Sequence, residues 1–265
     1  MKWNILILFL LFCIFLTGCA EATPETMPAT EAPIPETTAA ATLPPETAAP
    51  TEPAETQPEH SEFYIPGLSV DDVILYFNEV CLDAEFVNSG DASVVQKWVV
   101  PIRYILHGDY TQEDFVTLSA FTQWLNTIDG FPGIIETQEA IEANLYIHFC
   151  DQEEMLLIMG DNFTGMDGAV TFWYENDEIY DATICYRTDL DQYLRNSVIL
   201  EEIYNGLGPI QDTSLRPDSI IYSAFSQPQA LTEIDELILK LLYHPEIRCG
   251  MTASECEAVI RSLYY

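Results

Sequence analysis

Apolar residues recur at helical spacing along several stretches of the chain. From Val70 to Leu82 they place Val73, Phe77 and Val80 on one face of a predicted helix. Thr111 to Ile128 gives a second, with Phe115, Leu118, Phe121 and Leu125 in phase. Thr111 stands at its cap, Asp114 lies three residues on, and Asp129-Gly130-Phe131-Pro132-Gly133 stops it. A brief helical patch spans Gln152 to Met159. Asp189 is the predicted N-cap of the next helix, with Gln192 at its third position. That helix runs through Leu190, Tyr193, Leu194 and Val198 to Gly206–Gly208. Two more, Leu231 to Tyr243 and Thr252 to Leu263, close the chain, and Thr252 with Glu255 forms a capping box. Between them lie β-rich runs. In Lys97–His107, Pro101 predicts an edge strand or a bulge. Asn144–Cys150 is a short apolar strand. Ala169–Tyr174 and Glu178–Tyr186 are joined by Glu175-Asn176-Asp177 as a hairpin. Mixed helices and strands over about 200 residues predict a single α+β or α/β domain, a mixed β-sheet packed with helices.

The first 61 residues follow no such pattern. Lys2 precedes an apolar run from Ile5 to Leu16, shorter than the roughly 20 residues a membrane-spanning helix needs. It reads as a signal peptide. Its last positions, Leu16-Thr17-Gly18-Cys19, resemble a bacterial lipobox, which implies cleavage after residue 18 and acylation of Cys19. Two acyl chains anchor stably to a membrane. The alternative is an ordinary signal peptide in which Cys19 has no role. Residues 19–61 are built from Pro, Glu, Thr and Ala with repeated Pro-Glu-Thr, too polar to bury a core, and predict a disordered linker. The folded domain is expected over 62–265.

Charge narrows the partners. The chain holds 43 Asp and Glu against 9 Lys and Arg, a formal net charge of -34. From Glu62 onward, 35 acids face 8 bases. Such a field repels nucleic-acid phosphates and anionic lipid headgroups. A nucleic-acid partner is therefore excluded from the expectation, and contact with the membrane falls to the lipid anchor. Beyond Cys13 and Cys19, five cysteines remain (Cys81, Cys150, Cys185, Cys249 and Cys256), none at C-x-x-C spacing. Cys249 and Cys256 are near enough in sequence to pair, but buried free thiols are the expectation.

The stretch Glu201-Glu202-Ile203-Tyr204-Asn205-Gly206-Leu207-Gly208-Pro209-Ile210-Gln211 has the outline of H-E-x-x-H-x-x-G-x-x-H. In that motif two histidines at i and i+4 face one metal and the glutamate is the general base. Here Glu201, Asn205 and Gln211 occupy the ligand positions, Glu202 that of the base, and Gly208 the turn. Asp212 follows, and Ser219-Ile220-Ile221-Tyr222 resembles the metzincin turn with Ile221 in place of methionine. Leu231-Thr232-x-x-Asp235 then resembles the C-terminal helix of matrixin-type metzincins. Residues 200–265, with Glu201-Glu202, Leu207-Gly208, Asp212, Pro217–Tyr222 and Leu241–Met251, resemble an uncharacterised bacterial family of exported domains, itself similar to metzincins and carrying Glu-Glu for His-Glu. The resemblance implies a zincin-like fold with a degenerate active-site helix at about 189–207, and cleft residues that include Asp212 and Tyr222.

The residue types disfavour zinc chemistry. Catalytic zinc takes three ligands from Cys, His, Asp and Glu, and neutral amide oxygens such as those of Asn205 and Gln211 are poor substitutes. Without a metal, Glu202 cannot bring a water near neutral pKa. The expectation is therefore no zinc and no cofactor, with calcium, which accepts Glu, Asn and Gln oxygens, as the alternative. Asp161-Asn162 and Asp167-Gly168 miss the EF-hand pattern and read as a turn. His107, His148 and His244 are scattered, and Phe172-Trp173-Tyr174 is either core or a groove wall. Three functions stand open: a lipid-anchored, non-catalytic domain binding an extracytoplasmic peptide or protein, a hydrolase using Glu202, or a structural envelope lipoprotein.

Overall fold

The computed structural model describes residues 6–7, 61–82, 93–224 and 227–265. The rest of the expected leader, Cys19 and the expected linker up to residue 60 lie outside the described residues. In chain order the elements are β1 (Leu6–Ile7), α1 (Val70–Leu82), β2 (Lys97–Trp98), β3 (Ile102–Gly108), α2 (Gln112–Leu125), β4 (Ile134–Glu136) and β5 (Leu145–Cys150). Then come α3 (Gln152–Met159), a 3-10 turn (Asp161–Phe163), β6 (Gly168–Glu175), β7 (Glu178–Arg187), α4 (Gln192–Gly206), α5 (Glu233–Tyr243) and α6 (Ala253–Tyr264). The architecture is mixed α/β in one domain, with a mostly parallel sheet and six α-helices among the described residues.

The sheet runs β1-β6-β7-β5-β3-β4, with β2 added to β7. Strands β7, β5, β3 and β4 are mutually parallel, and β6 is antiparallel to β7. The β6–β7 hairpin turns through Asn176 and Asp177 at φ 54° and 65°, the left-handed pair that two-residue hairpins require. Among the described residues, the sheet beyond β6 carries only Leu6–Ile7, opposite Phe172 and Thr171. These two residues belong to the predicted leader.

Pro101 marks neither an edge strand nor a bulge within one strand, the two alternatives expected of it, but a break between two strands. It lies between β2, which pairs with β7, and β3, which is flanked by β5 and β4. A residue without an N–H ends one ladder at no cost when the next begins after it. β4 was not foreseen, because three residues carry no readable period. Two cap predictions hold as stated. Thr111 and Thr252 each form a capping box, with Asp114 and Glu255 respectively. The cap of α4 is Asp191, not Asp189: Asp191 Oδ1 accepts from Leu194 N at 3.1 Å, whereas Asp189 is forked by Arg187 at 2.9 and 2.7 Å.

Consecutive strand residues face opposite sides of a sheet, and the two sides here are covered differently. Gly206 of α4 sits against Val170 and Ile184, so α4 lies on that face, with α2 beside it. Cys185, the next residue, points to the other face, which α3 covers. The main core joins both long helices, α1, α5 and α6. Lys97 is buried in it and donates from Nζ to Leu242 O at 2.7 Å and Ile247 O at 2.5 Å. There it closes the C-terminal end of α5, where a cation is favoured. Burial draws its ammonium down to about 8.

Candidate functional site

Helix α4 is buried on nearly every side. Leu200, Ile203, Tyr204 and Leu207 anchor it as the spacing predicts, but Glu202 and Asn205 are 1% and 0% exposed as well. Its last carbonyls are satisfied by side chains: Trp98 Nε1 donates to Gly206 O at 2.9 Å and Tyr243 OH to Leu207 O at 2.7 Å. Gly208 then turns the chain at φ 127°, where a Cβ would come within 2.5 Å of Gln96 O. Only glycine fits that turn. Beyond it, the Gln211 amide donates to Val80 O at 3.2 Å, which ties the turn to α1.

The next segment is tied down by one carboxylate. Asp235, 0% exposed, accepts from Ser219 Oγ at 2.7 Å, Tyr76 OH at 3.1 Å, Ile220 N at 3.3 Å, and Thr232 N and Oγ1 at 3.0 and 2.8 Å. It therefore caps α5 and fixes the Ser219–Tyr222 turn with the same group. Thr213 N donates to Ile221 O at 2.8 Å, and Thr213 is bridged to Tyr222 in parallel. The Glu79 carboxylate, from α1, accepts from Thr213 Oγ1 at 2.5 Å and from Ser214 N at 3.0 Å.

The structure brings Glu201, Glu202 and Asp212 into one electrostatic cluster, and adds Asp167 from the loop before β6. Burial, then these like charges, push the carboxyls of Glu201 and Glu202 well above the usual carboxylate range. Glu201 and Asp212 are half-buried, as are Gln211 and Tyr222. Gly168, the first residue of β6, touches α4: a Cβ there would lie 2.8 Å from Glu202 Cγ and 2.4 Å from Val198 Cγ1. Glu202 Oε2 and both amide atoms of Asn205 are buried with no hydrogen-bond partner. The side chains thus fail to face an open cleft, as the motif outline implied for Glu201 and Asn205 on a shared face. Glu202 and Asn205 are enclosed by the packing of β6 on α4.

This donor set does not suit the metals considered. Zinc needs imidazole, thiolate or carboxylate at three positions, and Asn205 supplies an enclosed amide. Calcium takes six to eight oxygens, and Glu202 and Asn205, two of the side chains that would supply them, are 1% and 0% exposed. Among the described residues, no three His, Cys, Asp or Glu side chains are placed to hold a metal ion. Elsewhere, His107 and His148 stack at 4.8 Å on neighbouring strands, and Cys249 and Cys256 are free thiols.

Two variants test the burial of this cluster. For an acid whose pKa rises on folding, stability is fully present below the unfolded value and is lost as pH rises toward the folded one. Glu202→Gln should therefore match the wild type in urea titrations near pH 4.5 and exceed it at pH 8, because the amide carries no charge to bury. Asn205→Leu keeps the branched skeleton and the number of side-chain heavy atoms, removes two unpartnered polar atoms, and should stabilise the fold by about 1–2 kcal/mol. A loss of stability in both variants at pH 8 would show that partners are made to these groups after all.

Sequence reasoning located α4 and its turn but missed the Asp235 knot, although the Thr232–Asp235 spacing was the signal for its capping half. It also missed the ion pair between Asp114 and Arg195, at 2.8 Å with side-chain exposures of 0% and 6%. No curated protein matches the sequence. The profile of a family described as a protein of unknown function, DUF2927, matches residues 71–262, the whole described domain except its extreme ends, and the chain belongs to that family.

Proposed function

We propose that the protein is a lipid-anchored extracytoplasmic lipoprotein whose DUF2927 domain is a non-catalytic, metzincin-like scaffold that binds an extended peptide or protein segment. The observation that carries this reading is the placement of β6. It runs antiparallel to β7 in an otherwise parallel sheet, with two-residue β1 outside it among the described residues, and its first residue rests on Glu202 of α4. Strand order, the helix after β7, the glycine turn and the Asp235-held Ser-Ile-Ile-Tyr segment all support the metzincin-like reading. Glu202 is 1% exposed and shut off from substrate and water by the packing around α4, which favours binding over hydrolysis. Removal of residues 1–18 would free the edge of β6 now paired by Leu6–Ile7, and an open strand edge takes extended chains by backbone hydrogen bonding. The lipid on Cys19 would hold the domain at the membrane, and the acidic surface disfavours nucleic acid.

Selection of peptides on the mature chain, followed by hydrogen exchange, tests this directly. Bound peptide should slow exchange in residues 168–175 more than in β4 at the far edge. Protection confined to any other element would overturn the reading. The scaffold itself is tested by Glu201→His with Asn205→His and Gln211→His. If the turn at Gly208 places the three positions as in a metzincin, the triple variant should bind one zinc per chain, where the parent binds none. Failure of a folded triple variant to bind zinc tighter than its parent would sink the metzincin-like assignment.

A further inference from the structure

A second, smaller core lies on the sheet face away from α4. It consists of Cys150, Met155, Phe163, Met166, Ala169 and Cys185, with Met159 packed against it. Three of the four methionines in residues 61–265 and two of the five cysteines are gathered there. Cys150 ends β5 and Cys185 lies in β7, where its register partner is His148, two residues before Cys150. Both side chains therefore share a face. Both thiols are free and buried, within the same small core. Helix α3 begins directly after Cys150 with Asp151 as its cap, and carries Met155 and Met159 over the thiols. Phe163 and Met166 complete the lid from the 3-10 turn and the residues after it.

We propose that Cys150 and Cys185, with thioethers of Met155 and Met166, form a binding site for a soft monovalent metal ion, copper(I) or silver(I). Sulfur-only donors select such ions over zinc, calcium or magnesium. Binding would release the protons of both thiols, so one cation and two thiolates leave the site with a single negative charge. Arg187, the register partner of Cys150, stands at the rim, where it donates to Met166 O at 3.5 Å and is paired with Asp189 and Asp167 at 2.7 and 3.5 Å. Gly160 and Gly165 bracket the 3-10 turn at φ 99° and 82°, each with open space around it. The lid thus has a pliable joint on either side.

The site rests on the sulfur cluster alone and stands or falls separately from the proposed peptide binding. The test is titration of the full chain with copper(I), without oxygen, against a chromophoric chelator, with silver(I) as the redox-inert probe. One ion per chain is expected, with only sulfur neighbours in the copper X-ray absorption spectrum. Cys150→Ser with Cys185→Ser should abolish binding. Met155→Leu and Met166→Leu keep the apolar volume and the fold, and each should weaken binding roughly tenfold or more, while Cys249→Ser should change nothing. Tight binding that survives the double serine variant, or methionine variants that bind as the parent does, would overturn the proposal. So would a parent chain with both thiols reduced that takes up no ion, or one whose Cys150 and Cys185 are isolated as a disulfide.

Discussion

Asp235→Ala should lose most of the stability of the domain in urea titration, ~4 kcal/mol or more, because several donors are orphaned at once and each costs about 1–3 kcal/mol. The five donors come from α1, the Ser219–Ile220 turn and the α5 cap. A domain of this size is typically stable by about 5–15 kcal/mol, so the variant should be partly unfolded at 37 °C. The control is Thr232→Ala, which removes only the hydroxyl of the capping box and should cost ~1 kcal/mol. Similar losses in the two variants would show that Asp235 acts as a helix cap and no more.

Arg195→Met should be the next most damaging change. Asp114 would be left buried without its cation, and breaking such a pair costs about 3–5 kcal/mol. Gln192 Nε2, which donates to Asp114 at 2.6 Å, and the Thr111 cap remain, so the loss should fall toward the lower end of that range. Arg195 also donates to Thr188 O and Leu190 O at 2.9 and 3.1 Å, which secures the approach to α4. The pair has a pH signature. Burial alone would raise the Asp114 carboxyl, but Arg195, Thr111 and Gln192 outweigh it and hold it below the usual value of 3.8. Stability from a depressed carboxyl is present above the unfolded pKa and is lost as pH falls through the folded one. Acid unfolding should therefore begin at higher pH in Arg195→Met than in the wild type, as circular dichroism across pH 2–5 would show.

What the sequence made legible was local. Thr111 with Asp114 and Thr252 with Glu255 announce their helices within four residues, and Asn176-Asp177 announces its hairpin. The Gly208 turn is equally local, since one backbone angle demands the residue. Burial of Glu202 and Asn205 was not legible, because a helix wrapped on all sides has no polar face for a period to reveal. Asp189 and Asp191 are equivalent as capping residues until Arg187 takes the first. The distant partners were beyond any pattern: Asp114 and Arg195 are 81 residues apart, and Cys150 and Cys185 meet only through the register of β5 on β7. Such pairs depend on the sheet order, which periodicity does not encode.

The two ends of the domain meet. The Ser61 hydroxyl donates to Leu263 O, Tyr264 OH donates to Leu68 O at 2.6 Å, and Arg261 pairs with Asp71 across α1 and α6. Tension applied through the chain before Ser61 therefore enters beside the last helix and has no distant point from which to pull. A domain built this way takes both of its attachments at one place, where α1 and α6 are already joined.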